Sequence, residues 1–187
     1  FLTLGDYRFP HAFPKSLSSQ LDATGNATIT AADVDNGSTD ACGIATRAID
    51  ISTFDCTNIG ANNVVLTVTD NNGNSDTCTA VVTVEDTISP VADTTVLTSI
   101  QELCILNTVT PPTATDNCTG VITGSTTTIF PIQVSTTITW IYDDGNGNIA
   151  TQDQVIIIDD TTPPAPDNGS LDTINVTCIL DSLIPPT

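Results

Sequence analysis

The stretch Asp70-Asn-Asn-Gly-Asn-Ser-Asp-Thr-Cys-Thr-Ala-Val-Val-Thr-Val-Glu-Asp-Thr-Ile-Ser-Pro90 recurs 74 residues later. There it reads Asp144-Gly-Asn-Gly-Asn-Ile-Ala-Thr-Gln-Asp-Gln-Val-Ile-Ile-Ile-Asp-Asp-Thr-Thr-Pro-Pro164. Asp70 maps onto Asp144, Gly73 onto Gly147, Asn74 onto Asn148, Asp86 onto Asp160 and Pro90 onto Pro164. The same shift takes Cys104-Ile-Leu to Cys178-Ile-Leu and Pro111-Pro-Thr to Pro185-Pro-Thr. A shift of 76 takes Asp40-Ala-Cys42 onto Asp116-Asn-Cys118 and Phe54 onto Phe130. The two-residue difference is ordinary loop variation. Self-similarity at a fixed period marks a repeat array. The chain reads as an atypical segment (1–19), a first repeat (20–88), a second repeat (89–162) and the start of a truncated third (163–187).

Within each repeat the strands are legible. Val64-Val-Leu-Thr-Val-Thr-Asp70 and Thr136-Thr-Ile-Thr-Trp-Ile-Tyr142 alternate with a period of two, the mark of a half-buried strand. Each runs into an Asn-Gly turn, which supplies the positive φ that a tight hairpin needs. The returning strands begin near Cys78 and Gln154. Such hairpins suit the last two strands of a small two-sheet sandwich. Proline then stops each repeat and stiffens a short linker.

Composition agrees. The 187 residues include 35 Thr, while helix-forming Glu, Lys, Arg, Gln and Met are scarce. A net charge of −19 pushes toward disorder, but 39% hydrophobic residues, rich in Val, Ile and Leu, push back harder. The fold class expected is all-β: tandem immunoglobulin-like β-sandwich domains in a linear array. The only bases are Arg8, Lys15 and Arg47, so residues 48–187 hold 17 acids and no base. Nucleic acid and anionic membrane surfaces are excluded as partners, because both need clustered Lys/Arg. No apolar run approaches the roughly 18 residues of a membrane span.

Six cysteines with a single His read as disulfides rather than a zinc site. The expected pairs are Cys104–Cys118 and Cys56–Cys78, leaving Cys42 and Cys178 over. Each would contribute about 3 kcal/mol in the loop-entropy picture and would imply an oxidising, extracellular setting.

Leu21-Asp-Ala-Thr-Gly-Asn-Ala-Thr-Ile-Thr-Ala-Ala-Asp-Val-Asp-Asn-Gly-Ser-Thr-Asp-Ala-Cys-Gly-Ile44, with the Val64-to-Cys78 hairpin, resembles the repeats of giant surface adhesins of Bacteroidota, the gliding-motility adhesin class included. Pro112-Thr-Ala-Thr-Asp-Asn-Cys118 with Trp140-Ile-Tyr-Asp-Asp-Gly-Asn-Gly-Asn148 resembles the HYR-type immunoglobulin-like module. The resemblance covers roughly residues 20–187 and implies secreted, cell-surface domains in adhesins or filaments. Residues 1–19 fit neither pattern; packing against an adjacent subunit is one role open to them.

Calcium is the cofactor these residues favour, since Asp, Asn and carbonyl oxygens are hard ligands. Asp70-x-Asn72-x-Asn74-x-Asp76 looks like the start of a calcium loop, as does the region of Asp144, but a plain hairpin turn is the simpler account of both. The repeat junctions are the better candidates: Glu85, Asp86, Asp159 and Asp160, with Asp93 and Asp167 just past the prolines. Adjacent carboxylates on so acidic a chain repel one another unless a cation binds. The competing account is a solvated acidic surface that keeps the array soluble.

Catalysis has little support. His11 stands alone, and the pairs Asp143-Asp144 and Asp159-Asp160 are sequence neighbours, which point to opposite faces of a strand. Trp140 and Tyr142 share one face and could stack on a sugar, but their repeat counterparts Leu66 and Val68 make them core residues. Thr87, Thr94, Thr161, Thr173 and Ser182 follow Asp in sequences that resemble the Asp-Ser/Thr-apolar O-glycosylation motif of secreted Bacteroidota proteins. The function expected is a non-enzymatic stalk or filament segment of an extracellular adhesin. Its partners would be neighbouring repeats or copies of itself, and surface glycans come second. The alternative is a carbohydrate- or ligand-binding module of a surface protein or secreted hydrolase.

Overall fold

The computed structural model describes residues 8–160. Twelve strands run in order: β1 Leu17–Gln20, β2 Asn26–Thr28, β3 Ile44–Ile49, β4 Thr53–Asp55, β5 Gly60–Asp70, β6 Ser75–Glu85, β7 Val91–Ala92, β8 Ile100–Glu102, β9 Thr113–Asp116, β10 Gly120–Thr123, β11 Thr136–Asp143 and β12 Ile149–Ile158. The helical content among the described residues is the four-residue Ala31–Val34 and a 3-10 turn at Cys56–Asn58. The all-β expectation holds.

Four sheets form two pairs. The order β1-β6-β5-β3 faces the small β2-β4 sheet across one core; β11-β12-β8 faces β10-β9-β7 across another. The first core gathers Val64, Leu66 and Val68 of β5 with Val82 and Val84 of β6, and closes with Phe54 and Ile29. Every second residue of β5 is inward, as its alternation requires. The second core is built on Ile138, Trp140 and Tyr142 of β11 with Ile156 of β12. Trp140 is 2% exposed and donates its indole N–H to Gln154 Oε1 at 3.0 Å, so the polar tip of a buried ring is satisfied. Tyr142 OH donates to Gln152 Oε1 at 2.9 Å. These rings are core, as their repeat counterparts indicated, and present no face to a sugar.

Both expected hairpins are present. β5 and β6 pair antiparallel from Gly60↔Val84 to Thr69↔Ser75, and β11 and β12 from Thr136↔Ile156 to Asp143↔Ile149. Each last strand also gains a parallel neighbour at its far end, β1 beside β6 and β8 beside β12.

Residues 8–19 are not a segment apart. Ala12 is buried in the first core, His11 and Pro14 bridge to Thr39 and Asp35, and β1 starts at Leu17. The aromatic, basic character of this stretch hid a strand that pairs with β6 of its own unit. Residues 1–7 and 161–187, where the start of a third repeat is expected along with Asp167, Thr173, Cys178 and Ser182, lie outside the described residues.

The cysteine pairing is corrected. The disulfide joins Cys56 to Cys118, one from each sheet pair. Cys78 sits opposite Leu66, six ladder positions from the Gly60↔Val84 end near Cys56. At about 3.3 Å per residue that is roughly 20 Å, far beyond the roughly 7 Å Cα separation a disulfide tolerates. Cys78 is instead half-buried against the first core. Burial, then the Asp76 and Asp35 carboxylates, push its thiol up. Cys104 follows β8, which pairs with Ile156–Ile158 at the end of β12 away from Cys118. Cys104 is exposed and unbonded there.

Candidate metal centre between the two sheet pairs

Residues 86–90 carry the chain from β6 to β7, and at this joint three carboxylates meet. Asp86 follows β6, Asp116 ends β9 and Asp144 follows β11. Each is 5% exposed. One oxygen from each lies within 4.8 Å of the others.

Local turn chemistry aims each side chain. Asp144 Oδ1 accepts from the backbone N–H of Asn146 and Asn148, at 2.8 and 3.0 Å, and its Oδ2 accepts from Asn148 Nδ2 at 2.7 Å. Burial raises the Asp144 pKa, but the hydrogen bonds from Asn148 and the turn N–H groups outweigh it and hold the carboxyl below its ordinary value. Asp116 Oδ1 accepts from the N–H of Cys118 and Thr119 at 2.9 and 2.8 Å. The Thr119 hydroxyl donates to the Asp144 carbonyl at 2.7 Å, tying these two loops together. Asp86 is held more loosely: Ile88 N–H and Asn117 Nδ2 reach its Oδ1 at 3.2 and 3.4 Å, and Asn146 Nδ2 reaches Oδ2 at 3.3 Å.

Two oxygens are left over. Asp116 Oδ2 and Asn117 Oδ1 are fully buried and accept no hydrogen bond. A buried, unpartnered carboxylate oxygen carries its full desolvation penalty. At an effective dielectric of about 20, each pair of carboxylates no more than 4.8 Å apart also repels by at least about 3 kcal/mol. No base lies beyond Arg47 in the sequence, and Arg47 itself is paired with Asp35. A cation offsets both costs. The donors are all oxygen, which suits a hard ion, and calcium, with ligands at about 2.3–2.6 Å, spans oxygens up to about 5 Å apart.

Of the expected metal residues, Asp86 and Asp144 are in this cluster. Glu85, one residue earlier, is paired in β6 with Gln20 and meets the Ser18 hydroxyl at 3.4 Å. Asp93 accepts from the hydroxyls of Thr113 and Thr115, which hold its carboxyl below the ordinary value. Asp70 repeats the Asp144 geometry at the opposite end of the first sheet pair. Asp159 donates its backbone N–H to the Glu102 carbonyl at the far end of the second pair, next to Asp160. Asp116, the third member of the cluster, is not among the residues the sequence singles out for a metal. Its one signal is the correspondence of Asp40-Ala-Cys42 with Asp116-Asn-Cys118, which a repeat explains by itself. Thr87 and Thr94 are exposed; Thr161 lies outside the described residues.

The disulfide borders the same joint. Asn117 Nδ2 reaches the Asp22 carbonyl at 3.3 Å, and Cys56 Sγ lies 3.7 Å from the carbonyls of Gly25 and Asn117. Gly25 has φ +74°, and a Cβ there would stand 2.7 Å from Cys56 Sγ. The turn at 22–26 is therefore glycine by conformation and by space.

No family model and no curated protein matches the chain. Among solved structures it is similar to extracellular cadherin domains 1–4 of protocadherin gamma B7, at 14% identity and TM-score 0.33, covering 80% of this chain and 50% of that one. It is also similar to the protocadherin gamma B4 extracellular domain, at 15% identity and TM-score 0.35, covering 81% and 33%. A mouse clustered protocadherin, EC1–3, gives 12% and 0.30, covering 80% and 67%. The all-β assignment rests on the strand pairing above and not on these superpositions. Among the described residues no helix is long and apolar enough to cross a membrane.

Proposed function

We propose that the chain is a non-enzymatic segment of an extracellular stalk or filament, built from tandem immunoglobulin-like sandwiches set in line, with calcium at the joint. The observation that supports this most is the joint itself. A disulfide and three convergent buried carboxylates lie between two separate cores. A mechanical element needs its strength there, because a linker of five residues is otherwise a hinge. A structural disulfide also accords with an oxidising, extracellular compartment. The resemblance to Bacteroidota surface adhesins points the same way. Its partners in this reading are further repeats or copies of the same chain.

The test is small-angle X-ray scattering on the full chain, in calcium and in EDTA. The expected result is an elongated particle that becomes more flexible without calcium. A compact particle, or turnover of any substrate by the purified chain, would overturn the reading. Sugar stacking on Trp140 and Tyr142 is disfavoured, since both rings are buried.

A further inference from the structure

We infer that Asp86, Asp116 and Asp144 bind one calcium-class divalent cation whose affinity is set by the Cys56–Cys118 disulfide. This rests on the junctional calcium of the reading above and adds its ligands and its control. Two observations locate the ion. The first is the approach of the three carboxylates. The second is Asp116 Oδ2, a buried carboxylate oxygen on a side chain 5% exposed, that no protein group satisfies.

The disulfide acts on that same loop. Asp116 Oδ1 is hydrogen-bonded to the N–H of Cys118, so the ligand residue and the bridged residue move as one unit. Cys118 is in turn bonded to Cys56, at the end of β4 in the first sheet pair. Asp86 leaves β6 of that pair, whereas Asp116 and Asp144 belong to the second. Ion binding therefore requires the two pairs to be docked. The disulfide docks them beforehand, which removes that ordering cost from the binding step. Linkage makes the effect reciprocal: calcium must protect the disulfide by the factor by which the disulfide strengthens calcium binding.

The opposite end of the first sheet pair is an internal control. Asn74 makes there the bonds that Asn148 makes at the joint, to Asp70 and to a backbone carbonyl. That carbonyl belongs to Arg8, where the joint has Asp86. A basic residue in place of a carboxylate leaves that end without the third acid.

The experiment is calcium titration calorimetry on the full chain in four forms: oxidised, reduced with a phosphine, Cys56→Ser/Cys118→Ser, and Asp116→Asn. Asp70→Asn serves as control, and near-ultraviolet circular dichroism of the Trp140 environment checks the fold. The expected result is a site lost in Asp116→Asn and kept in Asp70→Asn. It should weaken roughly tenfold on reduction or in the double serine variant, within the usual range of coupling between sites. The equilibrium constant for reducing the disulfide in a dithiol redox buffer should also fall roughly tenfold in saturating calcium. Absence of an Asp116-dependent site in the oxidised chain would overturn the assignment while leaving the elongated shape to be judged by scattering. Equal affinity with and without the disulfide, in folded protein, would overturn the control.

Discussion

The Asn148 amide donates to the carbonyl of Asp86, 62 residues earlier in the chain, at 3.0 Å. The same nitrogen donates to the Asp144 carboxylate at 2.7 Å, so the β11–β12 turn grips the segment leaving β6 while it shapes itself. Asn74 does the same with Asp70 and the Arg8 carbonyl, at 2.8 and 3.1 Å. One turn design thus serves two ends, but only at the joint does it deliver an acid to other acids.

Charge relief at Asp116 should reverse sign with calcium. Without the ion, Asp116→Asn removes one of three mutually repelling carboxylates and should raise the melting temperature. A gain of 1 kcal/mol corresponds to about 2–4 °C for a chain of this size. In millimolar calcium the wild type should be the more stable, because it alone keeps the full ligand set. Calorimetric melting in both buffers measures this, and the same ranking in both would refute it.

Loss of the disulfide should be costly. Cys56 and Cys118 are 62 residues apart, and closing a loop of that size is worth about 4 kcal/mol in the loop-entropy model. Denaturant unfolding of the double serine variant in EDTA reads the difference. A midpoint unchanged from the oxidised wild type would show that the bond is not a stabilising staple.

Gly25→Ala should damage the same joint by a local route. The new Cβ would enter a left-handed backbone position and stand 2.7 Å from Cys56 Sγ. A loss of about 1–3 kcal/mol is expected, with slower closure of the disulfide. Thiol trapping during refolding would detect the delay; closure at the wild-type rate would contradict it.

Acid should loosen the turn at Asp70. Asp70 has a folded pKa below the ordinary 3.8, because hydrogen bonds from Asn74 and from turn N–H groups outweigh burial. Its contribution is fully present above pH 3.8 and is lost as pH falls from there through the lower folded value. The difference in melting temperature between wild type and Asp70→Asn should therefore be level near neutrality and shrink below about pH 4. A difference that does not shrink would count against the assignment.

Truncating Trp140 separates core from ligand face. Its ring is 2% exposed within the second core. Trp140→Ala should cost about 3–5 kcal/mol and unfold that half first. A fully stable variant would mean the ring is not holding the core.

Alternation in Val64–Asp70 and Thr136–Tyr142 was enough to place the hairpins and to assign Trp140 to a core, because period and burial are local properties of a strand. The repeat carried the Asp-to-Asn turn clamp from one unit to the next for the same reason. Two things were not legible. Asp116 lies some 30 residues from both Asp86 and Asp144, and nothing in its own segment marks it as their neighbour. The expected cysteine pairs join the two ends of one loop, Cys104–Cys118, and two strands of one repeat, Cys56–Cys78, whereas long strands carry such neighbours to opposite ends of a sheet. Only the docking of one sandwich end on another decides which loops meet, and there the chain keeps its acids and its disulfide.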